Sequence, residues 1–547
     1  MSVANAEIMK LGVERRERRT PAYVWAEGDA GSFPAGIDCR SALSLIRRRD
    51  DQAIGYLPGS GADDVDAILD DDEVDLLGLL PPLHPEWLGD VAFRRTHGCR
   101  FAYIVGEMAR GITTPDMVIN AARHGFMAFH GSAGLPLAAI EEQINTIRSA
   151  LGEADNWGAN LICNLDDPDK EMATARLFLR LGVRRISASA FLKLTPAVVM
   201  IAARGLRADE SGRAIRHNFV FAKVSRPEVA EAFLSPPPQA MLDALVATGH
   251  VTAAEARLAA TLPVASDITV EADSGGHTDN RPLTATFPAI LQLRDRIARS
   301  LENAETVRVG AAGGIGTPSA LAAAFQLGAA YVVTGSVNQS AVESGLSAAG
   351  REMLRTAGVA DVAMAPAADM FEMGIKVQVL KRGSIFAAHA NKLYELYRRH
   401  GSFDALPLKD REWLEKMVLR MPIEDAWAET RAYHARRNPA KVEKAEANPA
   451  YRMALVCRRY LFLCSQWARD GEEGRKADFQ IWCGPAMGAF NDWVRGSFLE
   501  NLENRTVVQI GKNLIEGAAT IQRMQQLRSF GMPVSAAAFD YRPRPLR

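Results

Sequence analysis

The stretch Ile268-Thr-Val-Glu-Ala-Asp-Ser-Gly-Gly-His277-Thr-Asp decides the fold, together with two stretches that follow it. These are Val307-Arg-Val-Gly-Ala-Ala-Gly-Gly-Ile-Gly316 and Tyr331-Val-Val-Thr-Gly-Ser336. Each of the three reads as a buried strand that ends in glycine. Strand ends carry the ligand site in an α/β barrel, because glycine turns leave backbone N–H groups free to hold a phosphate. The three stretches therefore predict an enzyme.

Five earlier apolar runs complete the set of strands. They are Phe101–Val105, Phe126–Phe129, Asn160–Cys163, Arg185–Ser189 and Asn218–Lys223, with helical segments rich in Ala and Leu between them. About eight strands that alternate with helices over about 250 residues are typical of a (β/α)8 TIM barrel, an α/β fold. A doubly wound open sheet is the competing architecture, because it shows the same alternation.

The chain divides into three predicted domains. Residues 1–95 are expected to form a small N-terminal domain, residues 96–350 the barrel, and residues 351–547 a mainly helical C-terminal domain with long charged helices. Residues near 226–265, which contain Pro236-Pro-Pro238, read as a helical pair inserted into the barrel. We interpret this insertion as a lid over the site.

Composition restricts the class of protein. The formal net charge of -1 does not supply the positive field that non-specific nucleic-acid binding requires. The 6 cysteines form no C-x-x-C pair, and we assign no metal site. No apolar run approaches the roughly 20 residues of a membrane span, and the segment from Met1 to Thr20 lacks the apolar region of a signal peptide. We expect a cytoplasmic protein without nucleic-acid or membrane partners.

Two glycine turns point to a phosphate. Gly313 and Gly314 follow one predicted strand, and Gly335 and Ser336 follow the next. Glycine permits positive φ and close backbone approach, and the helix that begins near Thr317 directs its positive N-terminal end toward the same place. Two such turns on adjacent strands match the phosphate site that barrels build after strands seven and eight. The spacing of these glycines differs from the Gly-x-Gly-x-x-Gly fingerprint of dinucleotide sites.

His277 is the candidate for chemistry. It follows Gly275 and Gly276, whose lack of side chains would let a flat ligand lie against the backbone beside the imidazole. A single histidine is usually structural, but a position at the rim of a barrel favours a catalytic role. Glu271 and Asp273 share one face of the preceding strand, so we expect at least one of them to point inward.

Asn164 and Lys223 also end predicted strands. At the rim of a barrel, either side chain could contact a polar ring edge or a phosphate. A surface or capping role is equally compatible with their positions.

These residues resemble a known family. The run Val105-Gly106-Glu-Met-Ala-Arg-Gly-Ile-Thr-Thr-Pro115, Asn164, the Gly-Gly-His277 element and both glycine turns resemble the FMN-binding barrel of nitronate monooxygenases and FMN-dependent enoyl reductases. Glu271–Pro282 is most similar to the trans-acting enoyl reductases of polyunsaturated fatty acid synthases and trans-acyltransferase polyketide synthases, the PfaD family. The resemblance continues through Ala365–Leu380 and Gly484–Asn491, so it extends over nearly the whole chain.

The resemblance implies tightly bound FMN, reduced by NADPH and reoxidised by hydride transfer to the β-carbon of an α,β-unsaturated thioester on an acyl carrier protein. It implies that His277 either donates a proton to the α-carbon or polarises the thioester carbonyl. The residues it assigns to the cofactor are Gly106, Asn164, Lys223, Glu271, Gly275, Gly276, Gly313, Gly314, Gly335 and Ser336, the last four at the phosphate.

The implied partners are the acyl carrier protein that bears the enoyl thioester and a polyketide or fatty acid synthase. An acyltransferase partner and a homodimer are both left open. The preference for NADPH over NADH is an expectation from the family resemblance alone, because no residue in the sequence is identified as a contact for the 2′-phosphate.

Three alternatives remain. The first is an FMN-dependent monooxygenase, although nitronate monooxygenases usually carry a glycine soon after Gly-Gly-His, where this chain has Thr278-Asp279-Asn280. The second is a non-catalytic subunit that docks to a megasynthase through its helical C-terminal domain, against which the intact Gly-Gly-His277 argues. The third is a barrel of the inosine-phosphate dehydrogenase kind, which would need a nucleophilic cysteine in a loop setting that none of the 6 cysteines has.

Overall fold

A computed structural model describes residues 22–26, 38–59, 61–301 and 307–547. The segment from Met1 to Thr20, on which the signal-peptide prediction was made, lies outside these ranges. The chain forms two compact units. Among the described residues, one unit contains those up to Pro85 together with Ala519–Tyr541, and the other contains those from Glu86 to Ala518 together with Arg542–Arg547.

The larger unit is built on a closed barrel of parallel strands. The strands are β1 Tyr103–Val105, β2 Met127–His130, β3 Trp157–Ile162, β4 Arg185–Ser189, β5 Phe219–Val224, β6 Asp267–Glu271, β7 Arg308–Ala312 and β8 Val332–Thr334. Each strand pairs with the next, and β8 closes the barrel on β1 with Val333 opposite Ile104. The predicted TIM barrel is confirmed, and closure excludes the open sheet.

Helices surround the barrel. Those that follow its strands span Pro115–Arg123, Leu137–Leu151, Pro168–Arg180, Pro196–Ala203, Pro227–Leu234, Leu283–Ser300, Pro318–Gln326 and Ala348–Arg355. Several begin with proline behind a capping side chain: the Thr114 hydroxyl accepts a hydrogen bond from the N–H of Met117, and the Thr317 hydroxyl accepts one from Ala320. This cap-and-proline pattern is why the helix starts could be predicted from sequence.

Aromatic side chains fill the inside of the barrel. Phe93, from the helix Val91–His97, stacks on Tyr331 with ring centroids 4.6 Å apart, and Phe221 packs edge-on against both. His97 ends the same helix and contacts Asp267, the first residue of β6, so this helix closes the amino-terminal end of the barrel. A ligand site is therefore left to the carboxyl ends of the strands.

The segment near residues 226–265 forms three helices, Pro227–Leu234, Gln239–Ala247 and Ala253–Ala259, where the sequence predicted a pair. The second and third of these pack against Pro196–Ala203, one of the helices outside the barrel. Leu242 and Leu245 of the second helix are buried, so the apolar face of the insertion packs against the outer side of the barrel. In this structure the second and third helices therefore lie along the outside of the barrel, and the role of the insertion as a lid stays a prediction.

A small antiparallel sheet, here called the mouth sheet, follows the carboxyl end of β6. Its three strands are Gly276–His277, Lys376–Leu380 and Val362–Pro366. The rest of the C-terminal region is mainly helical, as predicted, with helices Phe386–His400, Leu408–Trp413, Ile423–Ala435, Pro439–Ala447, Pro449–Asp470, Ala486–Val494 and Val507–Ser529. Within the described ranges, no helix has the length and apolarity needed to cross a membrane.

In its described part, the smaller unit contains a four-stranded antiparallel sheet, the helix Ala62–Leu69 and the end of the helix Val507–Ser529. Its strands lie in the order Val24–Trp25, Ile54–Pro58, Leu43–Arg48 and Val74–Leu80. Leu45 and Tyr56 of this sheet share a core with Met524 and Leu527 of the last helix. The predicted domain of residues 1–95 does not include these C-terminal residues, because a contact between the two ends of a chain leaves no signal in local composition.

Candidate active site

Side chains from four barrel strands form a connected polar cluster at the carboxyl ends. Lys223 Nζ lies 2.9 Å from Glu271 Oε1 and 3.1 Å from Glu107 Oε1. The Ser189 hydroxyl donates to Glu107 Oε1 at 2.9 Å, and Asn160 Nδ2 donates to the Ser189 hydroxyl at 2.9 Å. Hydrogen bonds and ion pairs therefore connect β3, β4, β5 and β6 through Glu107, which lies just after β1, and they hold the ammonium group in the middle.

The charge of this cluster is set by its two carboxylates. Burial disfavours the ammonium form of Lys223, but the charges of Glu107 and Glu271 outweigh burial and raise its pKa. One cation with two carboxylates leaves a single negative charge in a partly enclosed site. An ammonium group has three donors, and two of them are engaged here, so Lys223 keeps one donor for a ligand.

His277 is paired with Asp369, a residue that the sequence did not single out. His277 Nε2 lies 3.3 Å from Asp369 Oδ1, a distance typical of an ion pair, although the alignment is too poor for a hydrogen bond. Burial lowers the pKa of His277, but the carboxylate of Asp369 and then that of Glu271 raise it, and the net direction is upward. The pKa of Asp369 is lowered by the same contact against the effect of burial. The pair therefore favours an imidazolium beside a carboxylate.

The mouth sheet brings the pair together. His277 lies opposite Val377 in the antiparallel register, and Lys376 lies opposite Pro366 in the next strand. Asp369 follows that strand by three residues. The segment Ala365–Leu380, which carried part of the family resemblance, thus holds the catalytic candidate in place.

Side-chain amides lock the loop between β6 and His277. Gln378 Nε2 donates to Asp273 Oδ1 at 2.7 Å and to the Ser274 carbonyl at 2.8 Å. Asn280 Nδ2 donates to Asp273 Oδ1 and to Gln378 Oε1, both at 2.9 Å. Of the two acids expected on this strand, Glu271 reaches the Lys223 cluster, whereas Asp273 serves the loop. His277 therefore follows a turn that these side-chain hydrogen bonds hold in place.

The two glycine turns lie side by side, because Ala312 of β7 pairs with Val333 of β8. Gly313 and Gly314 have φ of +87° and +71°, and a Cβ at Gly314 or Gly335 would meet nothing within 4 Å. Within the described ranges, no group accepts a hydrogen bond from the backbone N–H of Gly313, Gly314 or Gly335. The helix Pro318–Gln326 begins just beyond them. Open donors at a helix N-terminus fit a phosphate group.

Three predicted site residues also have structural contacts, and their roles at the cofactor stay predictions. The Gly106 N–H donates to the Thr334 carbonyl at 2.8 Å, and a Cβ there would lie 2.9 Å from Val333 Cγ1, so Gly106 extends the pairing of β1 with β8. A Cβ at Gly275 would lie 2.8 Å from the backbone nitrogen of Cys483, which shows that Gly275 allows the C-terminal segment to approach.

Asn164 is held within its own loop. Its backbone N–H donates to Glu171 Oε2 at 2.8 Å, and its side-chain oxygen accepts a hydrogen bond from the Asp167 N–H at 3.1 Å. It does not join the Lys223 cluster. Ser336, in contrast, lies at the second glycine turn, where its hydroxyl accepts a hydrogen bond from the Gly484 N–H at 3.1 Å.

The site also contains residues that sequence reasoning missed. They are Glu107, Asn160, Ser189, Asp369 and Gln378. Glu107 could have been identified from the sequence, because it follows Gly106 directly at a strand end. Asp369 and Gln378 come from outside the barrel, and only the register of the mouth sheet shows that they meet His277.

Comparisons with known proteins agree with this architecture. Residues 400–479 match the family described as [Acyl-carrier-protein] S-malonyltransferase, inserted helical domain. The polyketide biosynthesis protein PksE of Bacillus subtilis is 45% identical over 444 residues, which cover 81% of this chain and 58% of PksE. A polyunsaturated fatty acid synthase polypeptide of Thraustochytrium sp. is 42% identical over 466 residues, which cover 83% of this chain and 31% of that polypeptide. The chain thus spans less than two thirds of the length of these curated relatives.

A solved structure matches over nearly its full length. The enoyl reductase domain of MlnA, from the macrolactin biosynthesis cluster of Bacillus amyloliquefaciens, superposes with a TM-score of 0.78 at 38% sequence identity. The match covers 81% of this chain and 99% of that domain. With the barrel, the mouth sheet and the polar site in place, the chain belongs to the PfaD-type family of trans-acting enoyl reductases of polyketide and polyunsaturated fatty acid synthases.

Proposed function

We propose that this protein is an FMN-dependent enoyl reductase that acts in trans, reducing the α,β-double bond of enoyl thioesters on acyl carrier protein with NADPH as the reductant. One observation carries the proposal. A single barrel mouth combines open phosphate donors at Gly313, Gly314 and Gly335 with the His277–Asp369 pair. Such a mouth offers both an anchor for a phosphorylated cofactor and a proton donor.

The donors fit FMN as the cofactor. When bound, FMN would supply the hydride chemistry that no amino-acid side chain can perform. Gly313, Gly314, Gly335 and Ser336 would hold its phosphate through backbone N–H groups and a hydroxyl. The remaining donor of Lys223 would bind a polar atom of the flavin or ribityl chain, held at a fixed point by Glu107 and Glu271.

His277 would provide the proton. Asp369 lies at Nε2, so Nδ1 would be the ring nitrogen that faces the substrate. An imidazolium there can donate its proton to the α-carbon, or its charge can stabilise the enolate that develops at the thioester carbonyl. Both roles require the protonated ring, and Asp369 and Glu271 favour that state because they raise the pKa of His277 against burial.

The monooxygenase alternative finds less support in the same loop. Where nitronate monooxygenases usually carry a glycine, the Thr278 hydroxyl donates to the Ala272 carbonyl at 2.7 Å and Asn280 binds Asp273 and Gln378. These side chains give the turn an interlocked structure that glycine would not reproduce. The proposal therefore keeps enoyl thioester reduction as the reaction.

The test is an anaerobic visible spectrum. Purified protein is reduced with NADPH under nitrogen, and crotonyl-pantetheine is then added. Flavin that bleaches and is reoxidised by the thioester without oxygen would establish the enoyl reductase. Flavin that only oxygen reoxidises would favour the monooxygenase, and a protein that binds no added FMN would contradict the proposal.

A further inference from the structure

One segment of the chain carries an excess of positive charge. Over the whole sequence 64 Lys and Arg nearly balance 65 Asp and Glu, but between Arg431 and Arg459 eight Lys and Arg stand against two Glu. This segment takes in the end of the helix Ile423–Ala435, the helix Pro439–Ala447 and the first half of Pro449–Asp470, and Arg436 and Arg437 lie in the link between the first two. The earlier turns of the first helix carry Glu424, Asp425 and Glu429. The basic residues are Arg431, Arg436, Arg437, Lys441, Lys444, Arg452, Arg458 and Arg459, which we call the cationic surface.

Part of this charge is not neutralised. Arg436, Arg437 and Lys444 are exposed, and none of them forms an ion pair with a carboxylate of the described residues. Arg437 and Lys444 instead lie over the rings of Tyr433 and Tyr451, 4.0 and 4.2 Å from the ring centroids. Cations held in place over aromatic rings keep their charge available to a partner.

Several of these cations lie close enough to His434 to lower its pKa. Burial, followed by the charges of Lys441, Arg458, Arg459 and Arg437, lowers the pKa of His434 to about 4. Cations from the last two helices and from the link before them thus surround one point.

The cationic surface is tied to the mouth of the barrel. Arg458 Nη2 lies 2.6 Å from Asp166 Oδ2, in the loop after β3, and Arg458 Nη1 lies 3.1 Å from Glu372 Oε1. Lys441 Nζ lies 3.7 Å from the same Asp166 carboxylate. Glu372 is three residues beyond Asp369. Two members of the cationic surface therefore lie beside the loop after β3 and beside the segment that carries Asp369.

We propose that the cationic surface is the docking site for an acidic carrier protein that presents the enoyl thioester on its phosphopantetheine arm. This inference rests on the proposed function, because it locates the surface that would bind the carrier protein named there. Complementary charge on this surface would raise the encounter rate and orient the arm toward the mouth. The match of residues 400–479 to a helical domain of an enzyme named for acyl carrier protein supports the same partner. Nucleic acid is the less suitable occupant, because the chain as a whole carries a net charge of -1.

The test compares two substrates that differ only in the carrier. The double variant Arg436→Glu/Arg437→Glu is assayed with crotonyl-pantetheine and with a crotonyl group loaded on a free-standing acidic acyl carrier protein, at low ionic strength. We expect kcat/KM for the carrier-bound substrate to fall by about tenfold or more, since reversed charges repel the partner. The value for crotonyl-pantetheine should stay within about twofold.

A matched control reverses the same number of charges elsewhere. Arg207→Glu/Arg213→Glu changes two exposed arginines just before β5, at the amino-terminal side of the barrel. This control should reduce both substrates as the wild type does. An unchanged kcat/KM for the carrier-bound substrate in Arg436→Glu/Arg437→Glu, or an equal loss with both substrates, would overturn the docking site.

A binding measurement separates this inference from the proposed function. Fluorescently labelled holo-carrier protein is titrated with the same variants, so that docking is observed even if no thioester is reduced. Loss of binding in Arg436→Glu/Arg437→Glu alone would support the surface. Equal binding by all variants, or a higher affinity of the wild type for labelled duplex DNA than for the carrier, would overturn it.

Discussion

His277 Nε2 and Asp369 Oδ1 lie 3.3 Å apart, although one residue follows β6 and the other comes from the C-terminal region. The contact exists because the mouth sheet pairs the strand of His277 with Lys376–Leu380, which in turn pairs with Val362–Pro366. The pKa of His277, the proposed proton donor, is therefore raised by a residue outside the barrel. This relationship leads to the first prediction.

Asp369→Asn should move the pH dependence of thioester reduction. Asp369 raises the pKa of His277, so the imidazolium persists to higher pH in the wild type than it would without this carboxylate. A proton donor is lost as pH rises through its pKa, and the basic limb of kcat should therefore shift to lower pH in the variant. The measurement is kcat for crotonyl-pantetheine across pH 5 to about 9.

Asp361→Asn is the matched control for this profile. Asp361 is a carboxylate near the same sheet that pairs with the exposed Arg382 and does not contact His277. Its profile should coincide with that of the wild type. If Asp369→Asn also kept the wild-type profile, Asp369 would have no influence on the proton donor.

His277→Ala should separate the two halves of the reaction. Reduction of the bound flavin by NADPH needs no proton from the ring, so its rate should stay near the wild-type value. Reoxidation by crotonyl-pantetheine should slow by about 10²–10⁴-fold, the usual contribution of a general acid. Stopped-flow absorbance measures both steps, and His124→Ala, at an exposed position on a barrel helix, serves as the control. A normal rate of reoxidation would remove His277 from the mechanism.

Gly314→Asp should empty the cofactor site. The new side chain would add bulk and negative charge where the turn offers donors to a phosphate. Gly249→Asp is a close control, because Gly249 has φ of +70° against +71° for Gly314 and a Cβ at either position meets nothing within 4 Å. Both variants carry the same backbone strain, so a difference in flavin content measured by absorbance reports the site alone. A wild-type flavin content in Gly314→Asp would show that the phosphate binds at another place.

Much of the barrel could be predicted from sequence, because it depends on local patterns. Each strand is a short apolar run, and each helix begins at a cap that the sequence displays, such as Thr317 before Pro318. The turns after β7 and β8 were found in the same way, since a strand followed by glycines is a local signal. Lys223 and Glu271 were recognised as strand-end residues, and the structure joins them in one ion pair.

The remaining features depend on contacts between distant segments. Asp369 and Gln378 reach the site only through the register of the mouth sheet, and the close approach of Cys483 to Gly275 left no signal in the local sequence. The insertion near residues 226–265 was recognised from its position in the chain, but its packing on the helix Pro196–Ala203 was not predicted. Local periodicity carries no information about which distant segment covers a given face.

Asp267→Asn should destabilise the barrel at its amino-terminal end. Asp267 Oδ1 lies 2.6 Å from Arg308 Nε, its Oδ2 lies 3.3 Å from His97 Nε2, and its side chain is fully buried. Burial alone would raise the pKa of Asp267, but His97 and Arg308 lower it, so the carboxylate stays ionised. Removing the charge leaves a buried guanidinium without this carboxylate, which should cost about 3–5 kcal/mol of unfolding free energy.

Asp295→Asn provides the comparison, because Asp295 forms an exposed ion pair with Arg294 and should contribute at most about 1 kcal/mol. Urea unfolding followed by circular dichroism measures both variants. The pKa of Asp267 is lower in the folded state than in the unfolded chain, so its contribution is complete above the ordinary aspartate pKa of about 3.9 and is lost as pH falls through the folded value. The difference between wild type and Asp267→Asn should therefore be large at neutral pH and should shrink in acid. A difference that stayed constant into acid would show that packing, and not the carboxylate charge, holds this end of the barrel together.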